Sequence, residues 1–313
     1  MSRGLQTIAP SKVNVCLLLG PTRADGRHEL VTVFQALDLA DDVHLLETLD
    51  VRDDEVVCDP PVEGENLALR AIRAFRAATG WNGPPVRVTI TKRIPVAGGM
   101  AGGSSDAAAT LRLLATHAAP HLGRTGRTVP DADDLRAIAA TLGADVPALV
   151  EPGRWLGTAA GERVERLPLL PDGRTAYVVV TSPTGLSTPD VFREADRLGL
   201  PRSSSQLALG GRDVRARAGD LPRVLCVNEL EPAALSLRPD LRDTLAALRA
   251  AGAEVAMVSG SGPTCVGLYD NPGRARQAAP VLAERFGAEH VRLAGALPRE
   301  QVAALELPRV AGA

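Results

Sequence analysis

The sequence predicts an α+β fold in two domains. Three observations carry that prediction. The chain has 313 residues, enough for two buried cores rather than one. Its strand-like and helix-like segments mix without the regular βα alternation of a doubly wound sheet. A stretch rich in Gly, Pro and charge, residues 151–175, lies near the middle and suits a domain crossing. Apolar residues make up 45% and charged residues 23%, so the chain has the composition of an ordinary globular protein.

The first element is residues 5–19, an apolar and β-branched run that reads as one or two strands broken at Pro10. Arg23-Ala24-Asp25-Gly26 is a turn, after which Leu30 to Leu39 and Val43 to Glu47 are extended. From Asn66 to Thr79, Leu67, Leu69, Ala71, Ile72 and Phe75 fall roughly on one helical face. Val86, Val88 and Ile90 alternate, which predicts a half-buried strand. A glycine-rich loop at 95–103 leads into an alanine- and leucine-rich helix from about Ser105 to His117, and Asp133 to Thr141 forms another helix. Beyond the crossing, Ala176 to Thr181 is a strand, and 203–222 is expected as a mobile loop or poorly specified helix. Asp240 to Ala251 is a helix, and Glu254 to Val258 and Thr264 to Leu268 are strands joined by Ser259-Gly260-Ser261-Gly262-Pro263.

Charge and cysteine content exclude several classes of function. With 35 Lys and Arg against 37 Asp and Glu, the chain is no general nucleic-acid binder, although a nucleotide pocket needs only local donors. Its eight aromatic residues are too few for a single-strand stacking platform. The four cysteines form no C-x-x-C pair, so neither a zinc ribbon nor a redox motif is supported, and Cys16 and Cys265 read as buried hydrophobes. No apolar run is long enough to cross a membrane, and a soluble cytoplasmic protein is expected.

Pro95-Val96-Ala97-Gly98-Gly99-Met100-Ala101-Gly102-Gly103-Ser104-Ser105 is the most informative segment. Its glycines let backbone N–H groups turn inward, and the helix behind adds unpaired donors and a positive dipole end, which suits a phosphate chain. The common nucleotide motifs do not fit. Met100 stands where G-x-G-x-x-G requires Gly, and Ser104-Ser105 stand where a Walker A loop requires Lys-Ser/Thr. Standing alone, the run reads equally well as a turn that packs a helix on a sheet.

Three segments together, Pro10-Ser11-Lys12-Val13-Asn14-Val15, the loop at 95–106 and Val258 to Thr264, resemble the three motifs of the GHMP kinase superfamily in order and spacing. Ala24 to Gln35, Leu142 to Pro147 and Asn228 to Leu235 extend the resemblance over nearly the whole chain. They narrow it to the branch that phosphorylates a cytidine diphosphate methylerythritol in non-mevalonate isoprenoid synthesis. The resemblance implies a GHMP fold with the active site in the interdomain cleft, an ATP-binding N-terminal domain over 1–160 and a C-terminal domain over 161–313. ATP and Mg2+ would be the cofactors, with Mg2+ entering as MgATP and no protein ligand assigned to it. The partner would be the small-molecule substrate, with no nucleic acid or membrane, and a homodimer is open to it.

The same resemblance assigns roles to residues that have plainer readings on their own. Lys12, otherwise a snorkelling lysine, would stabilise the developing alkoxide and the γ-phosphoryl. Asp145, otherwise a turn cap, is a lone acid among apolar residues and would accept the hydroxyl proton. Asn66, Leu67 and Lys92 would surround the adenine, although they also pass for a helix cap and a surface cation. Ser104 and Ser105 either cap the helix or present hydroxyls to the phosphates. Asn14 would contact the erythritol; His28 would read the cytosine edge, with Thr188 and Phe192 closing over it. Position 27 departs from the family, which usually has an aromatic there; Arg27 is expected to stack on the base through its guanidinium plane. The alternatives are a GHMP kinase acting on homoserine, mevalonate or a sugar, and a ligand sensor that kept the fold without turnover.

Overall fold

A computed structural model describes residues 4–48, 52–61, 64–95, 99–220 and 222–307. The expected strands near the N-terminus are two long ones. Strand β1 (Leu5–Thr22) runs through Pro10 with a register shift between Pro10 and Lys12, and β2 (His28–Glu47) returns antiparallel to it. The turn at Asp25-Gly26, with Gly26 at φ +80°, joins them. Pro10 does not break β1 because a local irregularity in the ladder accommodates it.

The other edge of β2 is shared end to end. Residues 32–35 pair with β5 (Arg154–Thr158) and residues 42–47 with β4 (Val86–Thr91). The parallel neighbour β3 (Glu55–Asp59) and the antiparallel β6 (Arg163–Arg166) complete the six-stranded sheet. Thus residues 151–166 contribute strands to the first sheet rather than a bare domain crossing. These strands are only four or five residues long and carry arginines, buried at Arg154 in β5 and exposed or ion-paired in β6, so their apolar pattern is weak.

Helix α1 (Leu67–Thr79) starts where Asn66 caps it, accepting from Ala68 N at 2.8 Å, and ends at Gly80 in the left-handed region. It buries Ala68, Ala71, Ile72 and Phe75 against α2 (Gly102–Arg124) and the sheet. Helix α2 begins earlier and ends later than its alanine run predicts, and α3 (Ala132–Ala140) and the short α4 (Val146–Val150) pack beside it.

A second antiparallel sheet, ordered β10-β7-β9-β8, holds β7 (Ala176–Val180), β8 (Val255–Val258), β9 (Cys265–Tyr269) and β10 (Val291–Gly295). Around it lie α5 (Thr188–Arg197), α6 (Ser204–Ala216), α7 (Glu231–Leu237), α8 (Leu241–Ala250) and α9 (Pro272–Phe286). Helix α6 occupies most of the stretch expected to be mobile or poorly specified. A Ser203–Gln206 capping box starts it, and Leu207, Gly211 and Val214 bury one face. A shared apolar cluster joins the halves: Val13 and Val15 of β1 and Val33 of β2 pack with Tyr177, Val179, Met257 and Val266 of the second sheet. Cys16 and Cys265 are buried in apolar surroundings, which pushes both thiols up to about 12.

Candidate active site

The bulged segment of β1 presents Lys12 and Asn14 to a cleft of about 590 Å³ between the two halves. The Lys12 side chain is only 5% exposed, so its charge needs partners. Its Nζ donates to Asn14 Oδ1 at 2.7 Å, lies 3.2 Å from Asp145 Oδ2 and stands 5.4 Å from the centroid of the Phe34 ring. The Asn14 amide is oriented in turn: its Nδ2 donates to Thr32 Oγ1 at 2.8 Å, and the Thr32 hydroxyl donates to the Cys16 carbonyl. Asp145 precedes α4 without capping it, so its carboxylate remains free to face Lys12.

Opposite stands the start of α2. Ala101 occupies the N-cap position in the left-handed region and has no side-chain capping bond, and the first turn contains no acid. Among the described residues, the first helical bond there runs from Ser105 N to Ala101 O, and the N–H groups of Gly102, Gly103 and Ser104 find no partner. An uncapped N-terminus of a 23-residue helix, free of acids and open to a cleft, suits an anion. Just ahead of it, Met100 O accepts from Lys12 N, and Gly99 lies against the Gly262 carbonyl of the opposite half.

Of the residues expected at the site, Lys12, Asn14, Asn66, Lys92, Pro95, Gly99, Met100, Ala101, Gly102, Gly103, Ser104, Asp145, Thr188 and Phe192 all line this one cleft. Val96, Ala97 and Gly98 lie outside the described residues. Three others are placed differently from the expectation. Ser105 is fully buried and its hydroxyl donates to the Pro10 carbonyl at 2.6 Å, so it anchors the helix to β1 instead of facing the phosphates. Arg27 pairs with Asp25 and Glu162 and does not line the cleft. His28 is buried behind the cleft wall, stacked on Phe192 at 5.1 Å between centroids, with Nε2 2.8 Å from Asp196 Oδ1.

Lys92 is no surface cation. It lies between Asp41 and Asp106, donating to both, and all three side chains are at most 5% exposed. Burial pulls the Lys92 ammonium down, but the two carboxylates outweigh this and raise it. Asn66 has both amide ends engaged, one with Ala68 N and the other with Cys58 Sγ.

Several site residues carry no sequence role of their own. Thr32 and Phe34 support Lys12 from β2. Asn228 Nδ2 donates to Val258 O and Gly260 O at 2.7 Å each, and Glu231 accepts from Val258 N, which fixes the Ser259–Pro263 loop. That loop reaches β1 through Asn14 N to Ser259 Oγ and reaches α5 through the 2.7 Å contact of Ser261 Oγ with Thr188 Oγ1. The segment from Asn228 to Leu235 signals the family, and the supporting role of its Asn and Glu follows from this geometry.

Two family models match: the GHMP kinases N-terminal domain over residues 66–153 and the GHMP kinases C-terminal domain over 212–296. With the two sheets and the cleft between them, they define the class, a GHMP kinase. Among curated relatives, the 4-diphosphocytidyl-2-C-methyl-D-erythritol kinase of Corynebacterium efficiens is 44% identical over 87% of this chain and 87% of its own length. The enzyme of the same name from Streptomyces coelicolor is 43% identical over 91% and 94%. A crystal structure of 4-(cytidine 5'-diphospho)-2C-methyl-D-erythritol kinase superposes with a TM-score of 0.70 at 33% identity, covering 93% of this chain and 98% of that one. Mevalonate kinase from L. major shares the fold, with a TM-score of 0.68 at 15% identity over 95% and 97% of the two chains. The chain belongs to the 4-diphosphocytidyl-2-C-methyl-D-erythritol kinase family.

The contact between the glycine loop and the opposite half yields a test. A Cβ at Gly99 would lie 2.9 Å from Gly262 O, and φ is already +67°. Gly99→Val is expected to raise KM for ATP about tenfold, equivalent to ~1.4 kcal/mol, with the melting temperature separating this from general unfolding.

Proposed function

We propose that this chain moves the γ-phosphoryl group of MgATP directly onto the 2-hydroxyl of 4-diphosphocytidyl-2-C-methyl-D-erythritol. The observation that carries the reading is the pairing of buried Lys12 with Asp145 across the cleft from the uncapped start of α2. The helix N-terminus and the glycine loop hold the triphosphate. Asp145 accepts the proton of the acceptor hydroxyl, and Lys12 stabilises the alkoxide and the charge on the transferring group. On this reading residues 1–160 provide the nucleotide half and residues 161–313 close the substrate side.

Mg2+ arrives with the triphosphate. It would be bound chiefly through phosphate oxygens and its own waters. On the substrate side, Phe192 offers the aromatic face that Arg27 does not. His28 stacks on the far side of Phe192 and stiffens it. Membership of the family favours this substrate over homoserine, mevalonate or a sugar, and the presence of both Lys12 and Asp145 favours turnover over a sensor.

A substrate panel with coupled ADP detection is expected to show turnover with the cytidylyl substrate and none with homoserine or mevalonate. Asp145→Asn is expected to lower kcat by about 10²–10⁴; retention of full activity would remove the base from the mechanism. Phe192→Ala is expected to raise KM for the cytidylyl substrate by ~5- to 150-fold, the range of one base–aromatic stack. KM for ATP should stay put. An unchanged substrate KM would place the base elsewhere.

A further inference from the structure

The cluster of Asp41, Lys92 and Asp106 puts two carboxylates and one ammonium in a buried setting, and its hydrogen bonds are unevenly shared. Asp41 on β2 is fully satisfied: Oδ1 accepts from Arg93 N and Ile94 N, and Oδ2 accepts from Lys92. Among the described residues, Asp106, in the second turn of α2, receives only the Lys92 ammonium, at 2.7 Å on Oδ2, while its buried Oδ1 has no partner. A carboxylate with one bare buried oxygen, beside a second carboxylate and a shared cation, is costly to keep charged. A proton removes that charge.

The position gives the proton consequences. Asp106 lines the cleft, one helical turn behind Gly102, and a Cβ on Gly102 would lie 3.3 Å from Lys92 Nζ. The charged and titratable groups facing Asp106 are Lys92 after β4, Asp41 on β2 and the Cys58 thiol on β3. Across the cleft stand Lys12 on β1, Asp145 before α4 and Glu65 ahead of α1.

We propose that Asp106 is a positioning residue for the nucleotide that works in its protonated form, keeping the Asp41–Lys92–Asp106 cluster neutral beneath the phosphate-binding start of α2. Loss of the proton leaves the cluster with a net charge of −1 behind the N–H groups that receive the triphosphate, and weakens ATP binding. Burial, opposed by Lys92 and reinforced by Asp41, pushes the carboxyl up to about 7, so the change falls within the working range of pH. The inference rests on the cleft being the ATP site.

The test compares wild type with Asp106→Asn, which has the shape of the protonated acid and cannot ionise. KM for MgATP and kcat are measured from pH 6 to 9 at saturating cytidylyl substrate. The wild-type KM is expected to rise about tenfold relative to the variant across this range, while kcat follows the same profile in both, so that titration of ATP itself cancels in the ratio. A constant KM ratio overturns the proposal. Isotope-edited infrared spectra of aspartate-labelled wild type give a readout independent of turnover and of how the variant folds. A protonated carboxyl band at pH 6 that fades by pH 9 is expected, and its absence at pH 6 also overturns the proposal. Wild type that keeps the band but turns over no ATP would instead refute the proposed function.

Discussion

A buried ammonium that must be paired organises this molecule. Lys12 is almost wholly enclosed, and an enclosed cation without partners would not persist. Its partners come from three places: Asn14 on the same strand, Phe34 on the neighbouring strand and Asp145 ahead of α4. The β1–β2 ladder, the packing of α2 and α4, and the bond from Lys12 N to Met100 O must all hold for these groups to meet. Asp145 remains about one-third exposed, so the pair has a dry end and a wet end. A substrate hydroxyl would enter at the wet end.

The cleft holds two lysines in opposite situations. Lys12 shares its charge with one partly exposed acid and a neutral amide, and therefore keeps attraction to spare for an anion. Lys92 is held between the buried Asp41 and Asp106 side chains and has little to offer a phosphate directly. On the proposed reading, phosphate binding falls to backbone N–H groups at the start of α2, with Lys12 facing the reacting end. This is how a chain of formal charge −2 can hold a polyanion: the positive potential is local and is supplied largely by the backbone.

Much of this was legible in the sequence where local chemistry dominates. Asn66 caps α1 as it could be read to, and Ala71, Ile72 and Phe75 of the expected apolar face are buried, while Leu67 and Leu69 are only partly so. The glycine run ahead of α2, Lys12 and Asp145 were identifiable as a set because several collinear motifs agreed. The strands at 154–158 and 163–166 were not, since four or five residues with interspersed arginines carry too little alternation to register. The Ser203–Gln206 capping box was a readable signal, masked by the polar composition around α6. The displacement of Arg27 from the cleft and the stacking of His28 on Phe192 depend on Glu162 and on α5, far along the chain. The Asp41–Lys92–Asp106 cluster likewise draws on three separate elements, and only the folded sheet brings it together.

The central claim is that Lys12 and Asp145 act as one unit on the acceptor hydroxyl. A double-mutant cycle of Lys12→Ala, Asp145→Asn and the double variant, read as kcat/KM for the cytidylyl substrate, tests it most directly. The account predicts strong non-additivity, with the double variant no worse than the weaker single variant by more than about threefold. Losses that simply multiply would mean that the two groups work independently, and would contradict it.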